Sequence, residues 1–126
     1  MYKIENIGDN NFYLKARGNF PPKAAQRLKD DFLEGIEGLE HFSFIIDLSD
    51  VILISLKTLE MLLDLLKQNN ERLGKSAYII RNNPPLGEEF KFVINKAENP
   101  KRKIVDSLQK AKEWLGIVDI IIKKEE

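Results

Sequence analysis

The hydrophobic period of the chain changes within residues 42–68. Residues 42–48 are apolar at nearly every position, which is typical of a strand covered by other elements on both faces. The leucines that follow recur at helical spacing, at Leu59, Leu62, Leu63 and Leu66. A buried strand that leads through a short loop into an amphipathic helix is the basic unit of α/β proteins, so this stretch predicts the fold class.

The chain before this stretch predicts a β-hairpin and a helix. Two runs of alternating apolar and polar residues flank turn-forming residues at positions 8–11, which favours a hairpin with one solvated face. Over residues 22–39, an apolar stripe predicts an amphipathic helix; it consists of Ala25, Leu28, Phe32 and Ile36.

The chain after residue 48 predicts further strands and helices in alternation. A short apolar run at 51–54 precedes a helix expected from about 56 to 73 and ended by Gly74. Strands are predicted at 76–80 and 103–105, with a proline-led helix between them and a last helix capped by Ser107. The predicted order is ββαβαβαβα. It indicates a single domain over residues 1–126, in which about five strands form a mixed sheet with helices packed on it.

Residues 117–122 form an apolar run, IVDIII, between the last predicted helix and a charged end. An exposed apolar edge is an aggregation hazard that natural proteins cover. Two interpretations are open: the run adds an edge strand to its own sheet, or it pairs with a second subunit and makes a homodimer.

Composition narrows the function classes. Twenty Lys and Arg residues balance twenty Asp and Glu residues, so the long-range field that attracts nucleic acid is missing. The chain has no cysteine, which excludes disulfides, thiolate metal sites and a cysteine nucleophile. No apolar run reaches the roughly 18 residues of a membrane span. We therefore expect a cytoplasmic protein that binds neither nucleic acid nor a cofactor.

Candidate binding residues surround the end of the central strand. Asp47 and Asp50 flank Ser49 there, in a position where acidic residues either contact ligands or shape the loop as Asx turns. No third metal ligand is evident, so we predict no metal site. Ser55 is expected to be the N-cap of the next helix. Lys57, in its first turn, is either an unremarkable exposed lysine or part of a cradle for an anion.

Other candidates have simpler interpretations. His41 is the only histidine, and we expect it in a solvated loop; the basic cluster at 101–103 fits a solvated turn. Four apolar residues of the predicted helix either line an apolar pocket or pack the core: Phe90, Phe92, Val93 and Ile94. If Phe92 is exposed, it would mark a surface for a lipid-type ligand or a partner.

The segment IIDLSDVILISLKTLEMLL resembles the STAS domain of anti-sigma factor antagonists. The layout of later elements and the Trp114–Leu115 pair are similar to a divergent bacterial branch of that family. The resemblance implies an Asp-Ser-Ser-Gly motif at the helix start, whose second serine a partner kinase phosphorylates. Here the motif falls on Ser55, Leu56, Lys57 and Thr58. Because Lys57 has no hydroxyl, phosphorylation there is impossible, and Thr58 adds bulk where a partner backbone would approach.

These observations favour a non-enzymatic regulatory or protein-interaction module. The predicted partner is a protein, bound through Asp47, Asp50, Ser55, Lys57 and Thr58. The alternative is a carrier or sensor of a small apolar or anionic ligand; a carrier should show a cavity of roughly 300 Å³ or more, lined by Phe90, Val93 and their neighbours. An enzyme is the third choice, because the chain offers no convincing acid–base pair.

Overall fold

The computed structural model describes residues 2–69, 71–81, 83–96 and 101–117. Its elements are β1 (Tyr2–Gly8), β2 (Asn11–Phe20), α1 (Pro22–Gly35), β3 (Phe42–Ile54), α2 (Leu56–Gln68), β4 (Leu73–Ile79), α3 (Pro84–Lys96), β5 (Arg102–Val105) and α4 (Leu108–Leu115). This order confirms the predicted α/β class and the sequence ββαβαβαβα.

The five strands form one sheet in the spatial order β1-β2-β3-β4-β5. β1 pairs with β2 in the antiparallel sense, and every later pair is parallel, so the sheet is mixed as predicted. The hairpin turns at Asp9 and Asn10, whose positive φ angles of 51° and 60° belong to the left-handed region that aspartate and asparagine tolerate. β3 is the middle strand.

The sheet separates two apolar clusters. Phe44 and Ile46 point to one side, where they pack with residues of α1, α2 and α3. Ile45 points to the other side and packs with Ala77 and with Ala111 of α4. Successive side chains of a strand point to opposite faces, so β3 must be apolar at consecutive positions to serve both clusters. This explains the consecutive apolar residues from Phe44 to Ile46 in the run that predicted a buried strand.

The structure corrects two predicted boundaries. β3 is one strand through residue 54 rather than two runs, because bulges in its pairing with β2 let it continue past Asp47. α2 ends at Gln68 rather than residue 73, and Gly74 lies within β4 instead of ending a helix. The backbone amide of Leu73 donates to the Asn69 carbonyl, and Leu73 is buried, so the chain turns into β4 at this point.

α1 also ends earlier than predicted, at Gly35, although Ile36 is still fully buried. α4 begins as predicted, with Ser107 Oγ accepting a hydrogen bond from the backbone amide of Lys110. It ends at Leu115, and the C-cap is Gly116, whose φ of 75° is left-handed. The part of the predicted C-terminal run after Ile117 lies outside the described residues. Among the described helices, none combines the length and apolarity that crossing a bilayer requires.

Candidate interaction site

β3 extends beyond its neighbour β4. The described pairing between the two ends where Asp47 lies opposite Ile79, whereas β2 continues to pair with β3 as far as Ile54. Residues 50–54 of β3, which we call the β3 extension, therefore stand beside β2 alone within the described pairing. The Asn83 side chain approaches from the β4 side and donates to the Val51 carbonyl at 3.4 Å. The extension leads directly into α2.

Asp47 lies in β3 just before this extension and is buried, with 7 % of its surface exposed. Its Oδ2 accepts a 2.6 Å hydrogen bond from the Tyr13 hydroxyl on β2. Its Oδ1 accepts from both the hydroxyl of Ser49, at 2.5 Å, and the backbone amide of Ser49, at 3.0 Å. These bonds match the Asx-turn interpretation, in which the aspartate shapes its own loop.

The hydrogen bonds decide the charge state of Asp47. Burial alone would raise its pKa, but the bonds from Ser49 and Tyr13, together with the nearby Lys15 ammonium, outweigh burial and hold the pKa below its usual value. The pKa of Tyr13 is raised, mainly by burial and then by the hydrogen bond to the carboxylate. Asp47 is therefore an ionised acceptor and Tyr13 a neutral donor at neutral pH.

Lys15 joins the two predicted aspartates. Its Nζ lies 3.1 Å from Asp50 Oδ2 and 3.9 Å from Asp47 Oδ2. Asp50 is 56 % exposed at its side chain, so only one of the two carboxylates is open to a partner. Sequence reasoning missed Tyr13 and Lys15, which lie more than thirty residues before their partners. The available signal was the alternation of β2, which places both residues on one face.

At the start of α2, Ser55 is the predicted N-cap: its Oγ accepts a 3.1 Å hydrogen bond from the Thr58 amide and lies 3.0 Å from the Thr58 hydroxyl. Lys57 is exposed, as expected. Thr58 is fully buried, at 0 % exposure. The Thr58 side chain therefore packs in the interior. The sequence had suggested that it would add bulk where a partner approaches, and its burial excludes this.

Ile52, in the middle of the β3 extension, is 67 % exposed, whereas its neighbour Val51 is 4 % exposed. An isolated exposed aliphatic side chain is common, but this one lies between the predicted site residues Asp50 and Ser55. In the sequence, Ile52 is one residue of an apolar run, and strand alternation from the buried Val51 is the signal that places its side chain outward. Phe92 on α3 is also exposed, at 61 %.

The apolar core beside Phe90 encloses a cavity of only about 20 Å³, lined by residues of α1, α2, α3 and the sheet. This volume is close to that of one water molecule and far below the roughly 300 Å³ of a typical ligand pocket. Phe90 is 2 % exposed and packs against Tyr78 with ring centroids 6.1 Å apart. The described core is therefore filled by its own side chains; the side chain of Val93 lies outside the description.

This arrangement of sheet and helices, with a serine-capped helix after the central strand, matches solved structures with a SpoIIAA-like fold, and this is the STAS-type fold that the sequence resemblance predicted. No protein-family model matches the chain, and no curated protein matches it in sequence. The likeness lies in the structures, and the identities are low enough that it establishes the fold alone.

Two solved structures illustrate the likeness. An uncharacterized protein from Shewanella loihica PV-4, of the DUF3478 family and with a SpoIIAA-like fold, has a TM-score of 0.70 and 19% identity, over 91% of this chain and 92% of that chain. The anti-sigma factor antagonist SpoIIAA in its unphosphorylated form has a TM-score of 0.65 and 11% identity, over 87% of this chain and 92% of its own.

Proposed function

We propose that this protein is a non-enzymatic regulatory module of the STAS type, which binds a protein partner in the cytoplasm through the β3 extension and the start of α2. The observation that carries the proposal is the 67 % exposure of Ile52 between exposed polar residues. An apolar anchor with a polar rim is the usual anatomy of a protein interface. The known role of SpoIIAA as an anti-sigma factor antagonist supports the regulatory class.

The proposed module is not switched by phosphorylation at the usual place. Lys57 has no hydroxyl to accept a phosphate. The neighbouring hydroxyls are also engaged: Ser55 Oγ caps α2, and Thr58 is buried. Of the five predicted site residues, Asp47 and Thr58 therefore support the surface from inside, while Asp50, Ser55 and Lys57 present it to a partner.

Affinity capture from extracts of the producing cells tests the proposal, with the wild type and Ile52→Asp as baits. Losing a central apolar anchor costs on the order of 2 kcal/mol, so we expect a specific partner to be depleted by at least about tenfold with Ile52→Asp. Because Ile52 is exposed, the variant should keep its stability within about 0.5 kcal/mol.

Phe92→Asp is the matched control, since it also removes an exposed large apolar side chain but lies on α3. A partner of the proposed surface stays bound to Phe92→Asp. If every protein captured by the wild type is captured equally by Ile52→Asp, the β3 extension is not the interface.

A small anionic ligand at the start of α2 is the second candidate. It is favoured by the exposed Lys57 and by the lack of an acidic residue in the first turn of this helix. NMR titration with phosphorylated metabolites tests it, because a ligand bound there should shift the Lys57 backbone amide signal. An unmoved signal at millimolar ligand would eliminate this candidate. The apolar carrier is not proposed, because the core cavity is too small.

A further inference from the structure

We infer that the partner of the β3 extension is an acidic protein segment, whose carboxylates are bound by Arg17 and Arg81 on either side of Ile52. The inference rests on the proposed function, because it names the chemistry of the partner for the same surface. It adds two binding residues, one on β2 and one directly after β4, to those on β3 and α2.

Arg17, Ile52 and Arg81 are all exposed and belong to one side of the sheet. Each directly follows a residue of the apolar cluster that packs with α1, α2 and α3; these residues are Ala16, Val51 and Ile80. Because consecutive side chains of an extended chain point to opposite faces, the three exposed residues belong to the other face, where α4 packs. The two arginines and the exposed isoleucine can therefore contact one partner.

The chain after β4 brings Arg81 beside the β3 extension. Ile79, the last residue of β4, lies opposite Asp47 of β3, and the Asn83 side chain donates to the Val51 carbonyl at 3.4 Å. Arg81 lies midway along the chain between these two contacts with β3. Its backbone is therefore held next to the stretch of β3 from which Ile52 extends.

On the other side of β3, β2 brings Arg17 to the same level. Arg17 is the register partner of Asp50, two residues before Ile52. Neighbouring strands of a sheet lie about 4.8 Å apart, so the backbones of Arg17 and Arg81 are about 10 Å apart, with β3 between them. A segment that crosses the end of the sheet can reach both arginines.

Cations outnumber carboxylates among the described residues of this surface. Asp50 is exposed and already pairs with Lys15 at 3.1 Å, while Asp47 is buried and accepts three hydrogen bonds. Lys15 and the two arginines exceed these two carboxylates, and Lys57 and Glu60 of α2 balance each other. Complementary charge selects partners and repels wrong ones, so this surface favours an acidic partner.

The side-chain types favour a protein as the source of the negative charge. Arginine binds a carboxylate through two parallel hydrogen bonds and is enriched at protein interfaces. Ile52, at 67 % exposure, offers an apolar contact between the two arginines. A protein segment with an apolar side chain between acidic residues satisfies both features, whereas a nucleic-acid backbone binds through its phosphates and leaves the isoleucine without an apolar partner.

Peptide selection on the full-length protein tests the inference. A phage-displayed library of random peptides is first depleted on a double variant, which carries Ile52→Ser and Arg81→Glu, and is then selected on the wild type. The retained peptides depend on at least one of the two residues, and we expect them to be rich in Asp and Glu and to contain an apolar residue. Ile52→Ser removes the apolar group without adding a charge, so the contributions of anchor and charge can be separated.

The affinities of synthesised peptides for single variants give the decisive measurement. By isothermal titration calorimetry, Arg81→Glu should weaken binding at least about tenfold, because it turns an attraction into a repulsion. Arg17→Glu and Ile52→Ser should each weaken binding as well. Arg27→Glu is the matched control, since Arg27 is exposed on α1, on the other face of the sheet, and it should leave the affinity unchanged. Circular dichroism checks the folding of each variant.

A charge exchange adds a gain of binding to these losses. Replacing the acidic residues of a selected peptide by lysine should abolish its binding to the wild type and restore binding to Arg81→Glu. Restored binding requires a folded variant and a direct contact at this position, so a general loss of structure cannot produce it.

The outcomes separate this inference from the proposed function. Peptides that need Ile52 but bind both arginine variants as tightly as the wild type would overturn the inference and leave the proposed surface intact. Acidic peptides that need the arginines but not Ile52 would contradict the proposed function, which has Ile52 as its anchor. A random-sequence DNA oligonucleotide that displaces the peptides would overturn the assignment to a protein partner.

Discussion

Tyr13 on β2 and Asp47 on β3 form a buried hydrogen bond, with 2.6 Å between the phenol oxygen and Oδ2. The pair joins the two strands just before β3 passes the end of its pairing with β4. Because Asp47 also accepts both bonds from Ser49, it holds the loop that leads into the β3 extension. The buried, ionised Asp47 carboxylate therefore helps to hold the proposed interaction surface in place.

Tyr13→Phe tests this support. The substitution removes a donor to a buried carboxylate, and hydrogen bonds to charged groups contribute about 1.5–3 kcal/mol, so we expect the free energy of unfolding to fall by that amount. Urea denaturation measures it. Tyr2→Phe is the matched control, since the Tyr2 hydroxyl bonds Asp31 at an exposed position. We expect the control to lose less than about 1 kcal/mol; equal losses would contradict the special role of Tyr13.

Acid should weaken the fold through Asp47. Its pKa is lowered in the folded protein, so the unfolded chain binds the proton more readily, and the stabilisation is complete above the unfolded pKa of about 3.9. Stability should decrease as the pH falls below about 4 and toward the folded pKa. Urea midpoints across this range measure the effect. Asp47→Asn should be less stable than the wild type at neutral pH, and its stability should depend less on pH in this range. If the stability of Asp47→Asn changes with pH as steeply as that of the wild type, Asp47 is not the source of the pH dependence.

Sequence reasoning predicted the local features of the site better than its long-range contacts. Ser55 was identified as a cap because the cap bond, to the Thr58 amide, spans three residues and follows from residue type alone. The contact between Tyr13 and Asp47 spans 34 residues and depends on strand register. Neither residue type specifies that register, so the sequence predicted Asp47 as a ligand contact or an Asx-turn residue and did not predict its bond to Tyr13.

The same distinction explains the error at the end of α2. Gly74 is a common signal for the end of a helix, but here a neighbouring strand determines its role. A side chain on Gly74 would meet β3 directly, because an added Cβ would lie 2.7 Å from Ser43 Oγ and 3.4 Å from the Phe42 carbonyl oxygen. The glycine permits close packing of β4 on β3, a requirement that only the assembled sheet reveals.

The Ser55 cap can be tested by a pair of substitutions. Ser55→Ala removes the acceptor for the Thr58 amide and should cost about 1 kcal/mol of stability, whereas Ser55→Asn keeps a capping oxygen and should cost only a few tenths. Thermal and urea denaturation of the two variants measure the difference. Equal stability of Ser55→Ala and wild type would mean that the hydroxyl is available for another function, including modification.

The close approach at Gly74 makes a prediction about coupling. Gly74→Ala should destabilise the protein by about 1–3 kcal/mol, because the new methyl group overlaps Ser43 Oγ. Ser43→Ala removes that oxygen, so the double variant should recover part of the loss, leaving only the longer contact, of 3.4 Å, with the Phe42 carbonyl oxygen.

Gly87→Ala, on α3, is the control, since an added Cβ there has no neighbour within 4 Å. It should stabilise the protein by up to about 1 kcal/mol through helix propensity. A double-variant cycle from urea denaturation gives the coupling between positions 43 and 74. A coupling near zero would show that the stability lost in Gly74→Ala arises from contact with the β3 backbone and not with the serine. The separation of the two strands would then be the reason that position 74 requires glycine.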